Sequence, residues 1–167
     1  MQKVSLFVDV QNIYYTTKEF HNCHFNYNIF WEKATYKREV VKAVAYAIDK
    51  GDEKQEKFQN ILRCIGFEIK LKPFIQRSDG SAKGDWDVGI TLDVMEYANK
   101  SDVVVLASGD GDFDLLVNKV KKDFEITVEV YGVANLTAAS LINAASKFIS
   151  IDNDLLLKSN TKNKIID

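Results

Sequence analysis

VVVLASGDGDFDLL, residues 103–116, decides how the rest of the chain is read. Its first half is apolar without alternation, which suits a strand covered on both faces. The second half changes abruptly to glycine and aspartate, then to a helical spacing that continues to Lys122. A buried strand feeding a helix through a tight turn is part of a βαβ unit. The turn carries Asp110, Asp112 and Asp114 at alternate positions, and carboxylates this close repel one another.

Working outward, the same kind of unit recurs. KVSLFVD (3–9), VVKAVAYAI (40–48), FEIKLKPFI (67–75) and ITVEVYGV (126–133) read as strands, with a helix as the alternative for 40–48, and KFISID (147–152) as a last short one. Pro73 predicts that the third strand ends at a sheet edge or leaves the sheet. Helical patterns fall over 27–37, 53–65, 87–99, 112–122 and 137–146. In the second, Phe58, Ile61, Leu62 and Ile65 share one face, with Gly66 as a stop. In the third, Val88, Leu92, Met95 and Ala98 do so. QRSDGSAKGD (76–85) is a loop. Strands alternating with helices predict right-handed crossovers. The expected fold is one α/β domain over residues 1–152, a mostly parallel sheet of about five strands with helices on both faces. Residues 153–167 are expected to form a mobile polar tail.

Composition agrees, with 46% apolar and 28% charged residues, as in a soluble globular protein. No stretch approaches the roughly 20 apolar residues of a membrane span, so a cytoplasmic location without membrane contact is expected. Cys23 and Cys64 form no CxxC pair, which favours reduced thiols. A net charge of −2 excludes a polycation. It does not exclude a nucleic-acid substrate, because acidic metal ligands lower the total.

Open α/β sheets bind ligands beyond the carboxyl ends of their strands, where strand order reverses. Asp9 ends the first strand, Asp110 follows the fourth, and Asp112 begins the next helix. If those two strands are neighbours, the three carboxylates meet in one notch, with Asp87 as a further acid. Buried and uncompensated, such charges cost several kcal/mol each. A hard divalent cation with oxygen ligands, Mg²⁺ or Mn²⁺, removes that cost. A simpler account covers part of the set, since Asp112 and Asp114 can cap a helix and face its dipole. Asp93, six residues beyond Asp87 and about 9 Å along the helix, suits a hydrogen-bonding role. Asn12 can orient a water or Asp9, or bond its own helix start. Gly109 and Gly111 suit a tight turn.

Around the notch, Arg77 and Lys83 are candidates for phosphate contacts, with Arg38, Lys70 and Lys72 behind them. Tyr14, Tyr15 and Trp86 can stack unpaired bases, although Tyr14 also suits a core position. HNCH at 21–24 with Cys64 matches no common zinc spacing. A phosphate-binding G-x-x-x-x-G-K-[ST] loop is missing from the sequence.

FVDVQNIYY, AKGDWDVGITLDVMEYA and VVVLASGDGDFDLLV together resemble the NYN-domain family of PIN-like nucleases, in its LabA-like branch, over about residues 3–150. The resemblance implies a PIN-like, Rossmann-type domain that cleaves RNA with Mg²⁺ or Mn²⁺ on a few aspartates. Asp9 and Asn12 match the first block. Asp87 and Asp93 match the second, where one extra residue after Gly84 makes Asp85 compete with Asp87. Asp110 and Asp112 match the third, and Ser108 joins Asp85 and Asp93 in support. RNA, single-stranded or structured, is the expected partner, and a homodimer is an allowed assembly. Two other functions compete. A haloacid-dehalogenase-type phosphatase would need a second Asp where Gln11 stands. An RNA- or protein-binding module would keep the acids without turnover.

Overall fold

The computed structural model describes residues 1–73, 75–76, 82–83 and 85–157, with the backbone alone for 75–76 and 82–83. Strand β1 (Gln2–Asp9) runs without a loop into α1 (Val10–His21). A short β2 (His24–Phe25) leads to α2 (Tyr27–Thr35), whose Asn26 cap accepts from the Ile29 N–H. Strand β3 (Arg38–Asp49) follows, then α3 (Glu53–Ile65), capped by Asp52 on the Gln55 N–H, and β4 (Glu68–Pro73). Next come the antiparallel pair β5 (Ile75–Gln76) and β6 (Ala82–Lys83), then α4 (Asp87–Ala98) and β7 (Val103–Ala107). A 3₁₀ turn (Gly111–Phe113) opens α5 (Asp114–Phe124). The chain continues through β8 (Thr127–Gly132), α6 (Ala139–Ala144), β9 (Lys147–Ser150) and β10 (Leu156–Leu157).

Six strands form one parallel sheet in the order β4-β3-β1-β7-β8-β9. The chain builds outward from β1 through β3 to β4. It then returns to the other edge of β1 with β7 and builds outward again, so the order reverses between β1 and β7. Both faces are covered. Ile13, Phe30, Ala34 and Leu62 from α1–α3 pack on one side with Val4, Leu6 and Val105. Ile90, Val94, Leu116, Val117 and Leu141 from α4–α6 pack on the other with Phe7, Val104 and Leu106. Two-sided burial explains why the β1 and β7 sequences lack alternation.

The last short strand expected from sequence, KFIS, pairs with β8 and completes the six. Four sequence expectations need correction. Residues 10–21, assigned no element from sequence, are helical; their polar and aromatic composition hides a helix fixed by Ile13 and Thr17 packing inward. In α4 the buried face is Ile90, Val94 and Ala98, while Val88 and Leu92 are 71% and 65% exposed. Apolar residues surround that helix, so periodicity alone could not choose its face. In α3, Ile61 is exposed and Gln59 is buried beside Leu62. Part of the presumed tail is also packed: Leu155 is buried, its carbonyl accepts from the Asn26 N–H, and β10 pairs with β2. Residues 158–167 lie outside the described residues. Among the described residues no helix is long and apolar enough to cross a membrane.

Arg38, a candidate phosphate contact in the sequence, lies at the opposite rim. It begins β3, and its guanidinium forks onto both Glu129 carboxylate oxygens at 2.9 Å, with a further bond to the Ala34 carbonyl.

Candidate active site at the sheet reversal

The reversal of strand order leaves β1 and β7 diverging into separate connections, and the gap between them is lined by their two following turns. Asp9 is the last residue of β1 and also the first cap of α1, its Oδ1 accepting from the Asn12 N–H at 3.4 Å. It therefore caps a helix as well as ending a strand, although the bond is long and weak. Its Oδ2 accepts from the buried Ser108 hydroxyl at 3.2 Å. The same Ser108 Oγ accepts from the Asp110 N–H. Asn12 reaches across the gap, where its Oδ1 accepts from the Gly109 N–H at 2.8 Å. These bonds tie the two turns into one rigid edge.

Asp110 caps the 3₁₀ turn, its Oδ1 accepting from the Asp112 N–H at 3.0 Å. Helix α4 starts at this same rim, where β4 ends at Pro73, so Asp87 arrives from a third segment. Asp87, Asp110 and Asp112 each bring a carboxylate oxygen within 4.8 Å of the others. They are the group of acid, His or Cys side chains, among the described residues, able to share an ion. Asp9 stands behind them, buried and outside that trio. Asp85 faces its own chain, its Oδ1 accepting from the Asp87 N–H at 3.2 Å. Asp114 sits in the first turn of α5, also outside the trio.

Electrostatics confirm the crowding. Burial, with smaller contributions from Asp110 and Asp85, lifts the Asp9 carboxyl to about 6 even though Asn12 and Ser108 favour its charged form. Asp87 is pushed up to about 7 by burial and by the charges of Asp110, Asp85 and Asp9. Both acids hold protons in the folded chain that they release near 3.8 when unfolded. The metal-free protein should thus lose stability as pH rises from about 4 to about 7, where the folded chain binds more protons than the unfolded one. A cation on the trio favours the charged forms, so its stabilisation should grow with pH. Melting temperatures in EDTA at pH 5 and pH 8, repeated with Mn²⁺, check this. An equal Mn²⁺ effect at both values would contradict it.

Several expected site residues do other work. Asp93 accepts from the Tyr46 hydroxyl and the Lys70 ammonium, both at 2.7 Å, on the β3–β4 side. Lys70 is thereby tied up in an ion pair rather than offered to phosphate. Lys72 donates to the Asp85 carbonyl at 3.0 Å and lies 4.5 Å over the Trp86 ring. Trp86 donates to the Ala47 carbonyl and packs against Tyr46. It is a wedge that fixes the start of α4, not a free platform for a base. Gly89 exists because of it: a Cβ there would fall 2.5 Å from Trp86 Cε3. Gly89→Ala should therefore destabilise by about 1–3 kcal/mol, since a ring held at both ends cannot yield cheaply. Urea unfolding measures this, and a neutral result would show Trp86 to be loose.

Tyr14 is not core. Its half-exposed ring stacks on His24 and meets the edge of Tyr15. Arg77 and the Lys83 side chain lie outside the described residues. Cys64 is exposed and joins no such group with Cys23 or the histidines. Gly109 and Gly111 have ordinary backbone angles. They are needed for space, because added Cβ atoms would lie 2.9 Å from the Leu136 carbonyl and 2.7 Å from Ala138 Cβ. That backing segment, and Tyr46, went unnoticed in the sequence. Neither carries a charge or a motif, and Tyr46 shows only as part of an apolar strand.

The sequence pattern of the NYN domain matches residues 3–152. The low amplitude and bright protein LabA of Synechococcus elongatus is 26% identical over 161 residues, covering 90% of this chain and 84% of that protein. A crystal structure of a Vibrio parahaemolyticus protein of unknown function is 55% identical. It superposes with a TM-score of 0.89, covering 93% of this chain and 96% of that one.

Proposed function

The chain belongs to the NYN-domain family, and we propose that it is a cytoplasmic, metal-dependent ribonuclease that hydrolyses RNA phosphodiester bonds at the aspartate cluster. The observation that carries this is the meeting of Asp87, Asp110 and Asp112 at the sheet reversal, with Asp87 pushed up to about 7 by burial and by its charged neighbours. The donors are all carboxylate oxygens, which fit Mg²⁺ or Mn²⁺ and not the sulfur and imidazole sets of structural zinc.

Asp87, Asp110 and Asp112 would hold the ion, with Asp9 adding charge from behind. A divalent ion there would supply polarisation of a phosphoryl oxygen and a bound water acidified toward neutral pH. The chain's own residues do the positioning. Ser108 and Asn12 lock the Asp9 and Gly109 turns so that the acids keep their spacing without reorganisation. Lys72 and Trp86 fix the first turn of α4 and hence Asp87. The exposed Tyr14 ring, five residues beyond Asp9, offers a stacking face for an unpaired base. Arg77 and Lys83 are retained as proposed phosphate contacts.

Labelled single-stranded RNA incubated with Mn²⁺, Mg²⁺ or EDTA tests the proposal. Fragments bearing 5′-phosphates, formed with either ion and lost in EDTA, are expected. A folded protein that binds RNA but cuts nothing with both ions would overturn it and leave a binding module.

A further inference from the structure

The outer side of α4 presents apolar residues to solvent immediately beside the acids. Val88 and Leu92 are 71% and 65% exposed, while Ile90, Val94 and Ala98 fill the core on the other side. Between this outer face and the 3₁₀ turn lies an open hollow of about 190 Å³. It is lined by Val88, Thr91, Leu92 and Phe113, and two of the metal-site carboxylates, Asp87 and Asp112, form part of its wall. Exposed aliphatic groups gathered next to a charged site give that site an apolar edge, the combination that ligand-binding grooves present.

Resting on the ribonuclease reading, we infer that this hollow is a base subsite, taking one unpaired nucleobase of the RNA whose phosphate lies at the acids. Three features select that occupant. It must be neutral, because Asp87 and Asp112 repel a second phosphate. It must be small and have an apolar face, because the exposed apolar lining is Val88 and Leu92, with Phe113 buried beneath. It must also be tethered within one nucleotide of the acids, because the carboxylates are part of the same wall. Thr91 adds a polar point: its hydroxyl donates to the Asp87 carbonyl at 2.7 Å, leaving oxygen lone pairs for an N–H of the base. A second copy of the chain is the competing occupant, since a two-fold interface lays one patch against its own copy, and sedimentation distinguishes it.

Binding of adenosine 5′-monophosphate and of ribose 5-phosphate to the Mn²⁺-loaded protein separates the base from its phosphate. The nucleotide should bind about tenfold more tightly. That preference should vanish in Leu92→Ser and in Val88→Ser, both exposed positions that folding does not need. Mn²⁺ titration of the same proteins should be unchanged. A wild type that binds Mn²⁺ but shows no preference, or variants that keep it, overturns the base subsite while the metal site stands. A wild type that binds no Mn²⁺ refutes the metal site itself, and the subsite with it. A dimer in sedimentation that Leu92→Ser dissociates assigns the hollow to a second copy and overturns the proposal as well.

Discussion

Asp110→Asn should reduce metal-dependent RNA cleavage by at least about 100-fold and leave the fold intact. Asp110 is the member of the trio with a structural task, the cap on the Asp112 N–H, and the asparagine carbonyl can accept that same bond. What the substitution removes is one negative charge from a crowded group. Asp110 is the largest charged contributor to the raised pKa of Asp87, so the Asp87 titration should move down from about 7 in the variant. The melting temperature without metal should hold or rise, because a repulsive charge is gone. Carboxyl titration by NMR, calorimetric Mn²⁺ binding and cleavage on the same samples give three linked readings. EDTA-sensitive cleavage persisting undiminished in Asp110→Asn would mean that the activity resides elsewhere or in another protein.

The largest stability effect is expected at the opposite rim. Glu129→Ala leaves the Arg38 guanidinium without its two 2.9 Å bonds, in a place where the two side chains are 17% and 11% exposed. Removing one partner of a largely buried pair strands the other, and the cost is about 3–5 kcal/mol, or roughly 10 °C in melting temperature. The double variant Arg38→Met with Glu129→Leu should recover most of that loss, because an apolar pair of similar volume needs no solvation. Mn²⁺ affinity should not change in either variant. A shift below about 1 kcal/mol for Glu129→Ala would place the pair among solvated surface contacts.

Val88 and Leu92 show where legibility failed. The sequence put them on the buried face of α4 because every apolar position in that helix looked equivalent. The sheet decided otherwise, since only Ile90, Val94 and Ala98 fall against Phe7 and Val104. The same limit applies to Lys70 and Arg38. A basic residue in a sequence carries no record of the acid it meets, and both found partners, in Asp93 and Glu129, that lie distant in the chain. Trp86 was legible as an aromatic beside the acids, but its indole bond to Ala47 comes from a strand 39 residues earlier.

Uninterrupted apolar runs ending in Asp9 and before Asp110 required strands buried on both faces, and with the intervening helices they required a parallel α/β sheet. The order and spacing of three short blocks pointed to the NYN family. Those are local properties, set by period and composition, so the sequence alone determined them. Which carboxylates meet is not local. It depends on the chain returning to the free edge of β1 with β7, and on α4 starting at the rim where β4 ends. Packing thus brought Asp87 to Asp110 and Asp112, set Asp9 behind them, and turned Asp85 and Asp93 to other partners, because side-chain direction is fixed only when elements are locked against a common core.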